Sequence, residues 1–181
     1  MSDTFITIVP KSVTSEQARI LSKTTLDWLA NKGIISDETT NCVPGPNGGY
    51  SPGQNYKDII NEDYPDFLKL DINGLEIINR RQVYDNGQNG LEGIICPSCG
   101  GDNIETDWGQ AIASWDGGGD GNLKCSHCGN ENSILDYDFN PTWGFGDLGL
   151  TFWNWPALSS TFLDDLKNFW DRDLKIIYGR L

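Results

Sequence analysis

The residues best suited to chemistry are four cysteines, which occur as two pairs with the same internal spacing. The pairs are CPSCG at residues 96–100 and CSHCG at residues 125–129. Two thiolates separated by two residues converge on one metal ion in a tight turn, where backbone N–H groups point at the sulfurs. The glycine after each pair suits this turn, because glycine adopts backbone conformations that other residues resist. The sequence therefore predicts one metal ion with four thiolate ligands, Cys96, Cys99, Cys125 and Cys128.

These two cysteine turns, called knuckles below, resemble those of the zinc-ribbon family over residues 91–139 and not over the rest of the chain. The resemblance implies a tetrahedral site of four thiolates that holds two β-hairpins together, with a long loop between them. In this chain the loop contains the glycine run 117–119, which predicts a flexible tip. Four thiolates around zinc leave no open position for water or substrate, so the ion would stabilise the fold and would not act as a Lewis acid.

Other interpretations of the cysteines stay open. Pairs of the CPxCG type also hold iron for electron transfer, as in rubredoxin, although nothing in the sequence marks a redox partner or a second cofactor. His127, the single histidine, would serve as a ligand only if a complete knuckle stayed unused. A Ser-His-Asp or Cys-His catalytic arrangement would need this same histidine. We therefore expect no catalytic residue, and one structural zinc ion as the cofactor.

Composition predicts a folded, soluble protein of the cytoplasm. Hydrophobic residues make up 38% of the chain and aromatic residues 11%, which is too apolar for a disordered chain. The first residues, MSDTFITIVPK, lack a basic stretch followed by a long apolar run, and no run approaches the roughly 18 apolar residues of a membrane span. Cysteines in CxxC pairs fit a reducing compartment and metal binding better than disulfides. The unpaired Cys42 is expected to be a small apolar filler.

The chain is strongly acidic, with a formal charge of -13 and an isoelectric point near 4.2. A field of this sign repels phosphate backbones, so nucleic acid is a poor partner and a basic protein is a more suitable one. Acidity also keeps a cytosolic protein soluble without any partner, and this simpler interpretation stays open.

The order of the predicted elements indicates the fold class. Outside residues 91–139 the patterns predict, in chain order, a strand at 4–9, a helix at 15–32, a loop at 42–55, a strand at 75–84, a strand at 148–155, a helix that begins at Ser160 and a strand at 174–179. Two Asn-Gly pairs at residues 85–90 predict a tight hairpin turn before the ribbon, and residues 133–139 predict a strand within it. Outside the ribbon, this order resembles the ferredoxin-like split β-α-β fold. We expect an α+β core domain of residues 1–90 and 140–181, with the ribbon of residues 91–139 inserted between its second and third strands.

Two features predict where a partner binds. Trp153 and Trp155 project from one face of the strand at 148–155, on the side of the sheet that the helices leave uncovered. Tryptophans with an acidic rim are typical anchors of interfaces, and the densest acidic stretch supplies a rim with Asp58, Glu62, Asp63 and Asp66. Alternatively, the ribbon or the loop 42–55 covers this face, and the acidic residues are only a solvated surface.

Together these observations predict a non-enzymatic, acidic zinc-binding protein that binds a basic protein and no membrane or small-molecule substrate. Bacterial immunity proteins, which neutralise toxic nucleases, are similar in being small, acidic and cytosolic. The alternative function is a zinc-ribbon accessory factor that acts near nucleic acid, as many ribbons do. That alternative requires a basic cluster, yet Lys124 is the only lysine or arginine between Cys96 and Cys128.

Overall fold

A computed structural model describes residues 2–181 and shows a mixed α+β fold in which paired strands are antiparallel. The strands are β1 (Thr4–Pro10), β2 (Ile35–Thr40), β3 (Gly49–Pro52), β4 (Leu75–Ile78), β5 (Gln82–Tyr84), β6 (Gly93–Ile95), β7 (Asn122–Lys124), β8 (Glu131–Ser133), β9 (Asp138–Asn140), β10 (Gly144–Gly146), β11 (Gly149–Trp153) and β12 (Leu174–Arg180). The α-helices are α1 (Ser15–Asn31), α2 (Trp108–Asp116) and α3 (Ser160–Trp170), and short 3-10 helices cover Tyr56–Ile59, Pro65–Lys69 and Ile134–Asp136.

The main sheet has the strand order β12-β1-β11-β4-β3-β2. β1 lies between β12 and β11, so that Ile6 is opposite Tyr178 on one side and Phe152 on the other. β11 is buried along its whole length, which explains why apolar residues occupy both of its faces. No helix among residues 2–181 is long and apolar enough to cross a membrane.

Helices α1 and α3 share one apolar core with the sheet. Ile8 of β1 and Phe152 of β11 belong to the same cluster as Leu29 of α1 and Leu166 of α3, and all four side chains are fully buried. The indole Nε1–H of Trp170 donates to a Thr25 hydroxyl at 2.8 Å and joins the two helices inside this core. Burial of these apolar faces supplies most of the stability of both helices.

The ends of the two helices follow the expected capping chemistry. Thr14 accepts from the Gln17 N–H at 3.3 Å while the Gln17 side chain accepts from the Thr14 N–H at 3.1 Å, which is a complete capping box at the start of α1. Gly33 takes a left-handed φ of 70° just after α1. The hydroxyl of Ser159 caps α3 by accepting from the Phe162 N–H at 3.2 Å.

The opposite face of the sheet is covered by the chain itself. Phe5 of β1 and Trp153 of β11 pack against Cys42 and Val43, which precede β3. Cys42 is 6% exposed and its sulfur lies where a side chain on Gly74 would project, so it fills space as expected. The loop 42–55 is therefore part of the cover of this face.

Several predicted elements are wrong in detail. The loop 42–55 contains β3, which pairs with β2, and the sequence pattern did not reveal this hairpin because β2 is mostly exposed and polar. The strand predicted at 75–84 is two strands in different sheets, since β4 pairs with β11 whereas β5 pairs with β10. Residues 85–90 do not connect a hairpin, because the strands on either side of them, β5 and β6, pair with β10 and β9. Gln88 in this segment donates its N–H to the Arg180 carbonyl at 2.8 Å.

Residues 91–139 and their neighbours form a second apolar cluster. β6 pairs with β9, β7 pairs with β8, and α2 lies between the two cysteine pairs. The predicted long loop therefore contains a helix, with Ala111 and Trp115 buried. The glycine run ends this helix, and Gly119 packs so closely against Ser114 that a Cβ would lie 2.5 Å from its hydroxyl. The strand predicted at 133–139 is interrupted, because Ser133 ends β8, Ile134–Asp136 form a 3-10 helix and Asp138 begins β9.

Candidate metal centre

The sulfurs of Cys96, Cys99, Cys125 and Cys128 all lie within 4.8 Å of one another, and none of these cysteines forms a disulfide. The Cys99 and Cys125 sulfurs are 3.7 Å apart. Four thiolates at about 2.3 Å from a tetrahedral zinc ion are separated by about 3.8 Å, so the spacing fits such an ion. The structure thus brings the predicted ligands together as a site compatible with a zinc ribbon.

Each knuckle is closed by its own backbone. In the first, Gly100 donates its N–H to the Cys96 carbonyl at 2.9 Å, and in the second Gly129 donates to the Cys125 carbonyl at 3.0 Å. Both glycines have left-handed φ values, 72° and 75°, which explains their position after each pair. The repeated geometry means that the two halves of the site are related by an approximate symmetry.

Backbone N–H groups also point at the sulfurs, as the spacing predicts. Cys96 accepts from the Ser98 N–H and Cys125 accepts from the His127 N–H, each at 3.4 Å. The Cys99 sulfur accepts from the Gly101 N–H at the same distance. Such bonds favour the charged thiolate, which is the form that binds a metal.

The four cysteines differ in exposure, and Cys99 and Cys125 have pKa values shifted in opposite directions. Cys96 and Cys125 are each 2% exposed, whereas Cys99 and Cys128 reach the surface. The N–H groups of Cys128 and His127 outweigh desolvation and lower the pKa of Cys125 to about 6. For Cys99 the Gly101 N–H acts in the same direction, but desolvation and hydrogen bonds with the other cysteines raise its pKa to about 12. Metal binding must therefore displace protons from the site.

Two asparagines cross from one knuckle to the other, and sequence reasoning missed both. The Asn103 amide donates to the Cys125 sulfur at 3.6 Å, and its oxygen accepts from the Ser126 N–H at 2.9 Å. In the mirrored contact, the Asn132 amide approaches the Cys96 sulfur at 3.9 Å. The signal was present as a repeat, since CPSCGGDN at 96–103 and CSHCGNEN at 125–132 share the pattern C-x2-C-G-x2-N.

His127 forms a further link between the knuckles and does not enter the ligand cluster. Its Nε2 lies 2.7 Å from the Asp102 carbonyl oxygen. The ring covers Gly101, where a Cβ would lie 2.6 Å from it, so only glycine fits there. The carboxylate of Asp102 in turn accepts from the N–H groups of Ile94 and Ile104, which lowers its pKa.

Comparisons with protein-family models, curated proteins and solved structures find no match. The site is therefore interpreted from its own geometry.

The tryptophans predicted as partner anchors are not exposed. Trp153 is 8% exposed and packs on Phe5, and Trp155 is 5% exposed beside Phe67. The prediction that both project from one face is also wrong, because Asn154 between them has a left-handed φ of 57° that breaks the alternation of the strand. Neither indole is available to a partner on the folded surface.

The acidic residues predicted at the rim are exposed. Asp63 pairs with Lys57 at 2.6 Å and Asp66 pairs with Lys69 at 2.5 Å. Asp58 and Glu62 form no ion pair within residues 2–181. The same segment exposes two apolar side chains that sequence reasoning did not select, Tyr64 at 60% and Leu68 at 40%.

Proposed function

We propose that this chain is a non-enzymatic binding protein, in which a structural zinc ion stabilises residues 91–139 and an acidic surface holds a basic protein. The acidic surface is defined by Asp58, Glu62, Asp63 and Asp66 together with the exposed Tyr64 and Leu68. The observation that carries the proposal is the combination of a net charge of -13 with two carboxylates, Asp58 and Glu62, that form no ion pair within residues 2–181 and lie in the same segment as exposed apolar side chains. Apolar anchors inside a charged rim are typical of protein interfaces.

Zinc is the metal that this donor set suits best. Four sulfurs within 4.8 Å of one another, two of them 3.7 Å apart, suit tetrahedral coordination, which zinc shares with iron. Cysteines would occupy every coordination position, so none would remain for a substrate. The ion would accordingly contribute folding free energy and no catalysis.

We further propose that the core is a ferredoxin-like split β-α-β fold with the zinc ribbon of residues 91–139 inserted into it. The antiparallel strand order β12-β1-β11-β4, with α1 and α3 packed in one core, supports this assignment. The separate apolar cluster around the cysteines supports the inserted module. β3 and β2 then extend the sheet beyond the four strands of that fold.

A toxic nuclease is one basic protein of suitable chemistry, because an enzyme that binds nucleic acid presents a positive surface. An acidic partner that covers this surface would block the enzyme, which is what an immunity protein does. The cytoplasm is the compartment where such an inhibitor would act.

Affinity capture with charge variants tests the proposal. The immobilised zinc-loaded protein should enrich a basic protein, and both added salt and the triple variant E62Q/Y64A/L68A should abolish the enrichment. A control variant, D116N/E131Q, removes two exposed carboxylates from the ribbon and should capture normally. If the triple variant captures as well as the unchanged protein, the acidic surface is not the binding site. A gel shift with nucleic acid that weakens steeply with salt would favour the accessory-factor alternative.

A further inference from the structure

A cleft lies between α1, α3 and the 3-10 helix Tyr56–Ile59. Its volume is about 250 Å³. The floor consists of side chains that belong to the main core and are buried by it, Leu29, Ile34, Ile59 and Phe162. Together with the half-buried Trp28, these side chains form an apolar base on which a slender aliphatic group can pack.

One wall of the cleft is an aromatic ring that already attracts a cation. The Trp28 indole stacks on Phe162 and Phe169 of α3, with centroid distances of 6.1 Å and 4.9 Å. Its cationic neighbour is Lys32, which follows the last residue of α1. The Lys32 ammonium lies over this ring, 4.8 Å from the centroid. This distance is within the range of a cation–π interaction, so the ring face stabilises a positive charge at the cleft.

The mouth of the cleft is negatively charged. Asp58 and Asp165 line it from opposite elements, and both carboxylates are exposed. Neither forms an ion pair with any of residues 2–181. Lys32 is the only cation in the lining, so the local balance is negative in a chain that is itself strongly acidic.

We infer that this cleft seats one lysine or arginine side chain of a basic protein partner. The aliphatic stem lies on the apolar floor, the cationic head lies between Asp58 and Asp165, and the Trp28 ring flanks it. This inference rests on the proposed function, and Asp58 belongs to both the cleft and the acidic surface. Lysine and arginine combine an apolar stem with a charged head, which is the combination that the floor and the mouth require. An anionic ligand would meet two carboxylates, and a purely apolar one would leave them without a partner.

A short peptide whose only charged group is one arginine is the probe, and the same peptide with citrulline in its place is its neutral control. Both are titrated at low salt while amide and indole NMR signals are recorded. The arginine peptide should shift the Trp28 indole and the Thr161 amide, and the citrulline peptide should not. Shifts of equal size with the two peptides, or shifts spread over all acidic segments, would overturn the inference.

Two variants should change the affinity for the arginine peptide in opposite directions, and a third is the control. Asp58→Asn combined with Asp165→Asn should lower the affinity for the arginine peptide about fivefold, because two exposed charge pairs are lost. Lys32→Gln should raise the affinity for the arginine peptide, because the Lys32 ammonium no longer competes for the Trp28 ring. The control pair Asp37→Asn and Asp116→Asn removes two exposed carboxylates elsewhere and should change the affinity less than twofold. All of these positions are exposed and the replacements are similar in size, so folding should be retained.

The result separates the inference from the proposed function. If a basic protein is captured but its binding and the arginine peptide are insensitive to D58N/D165N, the cleft inference is wrong and the acidic surface stands. If the peptide binds in the cleft while no basic protein is captured, the cleft stands and the proposed function is wrong.

Discussion

Asn103 comes shortly after the first knuckle but contacts the Cys125 sulfur of the second. Asn132 comes shortly after the second knuckle but contacts the Cys96 sulfur of the first. An amide N–H that points at a sulfur favours the thiolate, and it also fixes the distance between the two knuckles. Asn103 is 1% exposed and bonds to Gly101 and Ser126 as well. Asn132 is more exposed and makes longer contacts, so the two residues are not equivalent in strength.

Replacing either asparagine should weaken metal binding. We expect Asn103→Ala to lower zinc affinity by roughly 10-fold to 100-fold, the usual effect of losing a partner of a metal ligand, and Asn132→Ala to lower it less. Asn130→Ala is the control, because the exposed Asn130 uses its backbone carbonyl to accept from the Cys125 N–H and its side chain contacts no sulfur. Competition with a chromophoric chelator measures all three. Equal affinities for the three variants would show that the asparagines do not support the site.

At the scale of elements, Arg81 joins α2 to the end of β10. Its guanidinium donates to the Trp115 carbonyl at 2.9 Å and lies over the Trp115 ring at 4.9 Å. It also lies 3.6 Å from the Asp147 carboxylate, whose side chain is only 8% exposed. A buried carboxylate that loses its cation is costly, so this arginine holds the ribbon against the sheet.

We predict that Arg81→Ala destabilises the protein by roughly 1–3 kcal/mol, because it leaves the buried Asp147 carboxylate without its cation and removes one of the two donors to the Trp115 carbonyl. Arg80→Ala is the matched control, since the exposed Arg80 has only a 3.5 Å contact with Gln82 and forms no ion pair within residues 2–181. Urea unfolding followed by circular dichroism measures both variants. A loss of stability that is the same in both would contradict the proposed link.

The edge strand β12 carries a half-buried lysine. Desolvation lowers the pKa of Lys175, assisted by Lys11 and opposed by Asp138 and Asp136. A base whose pKa falls on folding binds fewer protons in the native state, so it costs stability wherever the unfolded chain is protonated. That cost is fully present below the lowered pKa of Lys175 and is lost as pH rises from that pKa to above 10.5.

Lys175→Met should therefore be more stable than the unchanged protein at pH 7. The difference should shrink as pH rises from the lowered pKa towards 10.5, because the unchanged protein gains stability in that range relative to the variant. Thermal unfolding of both proteins at several pH values gives the comparison. A difference that stays constant with pH would show that Lys175 is not desolvated. A charged lysine on an edge also discourages pairing with other chains, which would explain why this costly residue is present.

Sequence patterns identified the elements whose burial is periodic. α1 and α3 have apolar stripes with capping residues, and β1, β11 and β12 are rich in apolar or β-branched residues, so all five were predicted close to their observed bounds. The polar hairpin β2–β3 carries no such pattern because it lies at the exposed end of the sheet. α2 was missed although Trp108, Ala111, Ile112 and Trp115 have helical spacing, because the adjacent glycine run suggested a loop.

The candidate functional residues were likewise predictable only in part. The cluster of four cysteines was predictable because CxxC spacing is a local property of a turn. The burial of Trp153 and Trp155 was not, because it depends on the left-handed Asn154 and on Val43 and Tyr56, which are distant in sequence. The cleft beside Trp28 likewise requires three segments that only the folded chain brings together.

At the scale of the whole molecule, the two largest apolar clusters differ in how much apolar surface is available to stabilise them. The sheet core is large and joins both long helices, whereas the cluster around Cys96 and Cys125 is small. Small domains bury too little surface to be stable without a metal or a disulfide. The cysteine cluster should consequently depend on its ion.

Metal removal should unfold at least residues 91–139. We expect chelation, or Cys96→Ser, to lower the melting temperature markedly and to abolish amide protection in α2 and β7. Cys42→Ser is the control, because Cys42 lies in the other half of the molecule and outside the cluster. Hydrogen exchange with and without chelator measures the effect. An identical melting curve in the metal-free protein would contradict this dependence.

Metal analysis combined with X-ray absorption spectroscopy tests the central claim most directly. The purified protein should contain one zinc ion per chain, surrounded by four sulfur atoms at about 2.3 Å. A chain that binds no metal tightly, or an ion with an oxygen or nitrogen neighbour in place of one sulfur, would contradict the account of a closed, structural site.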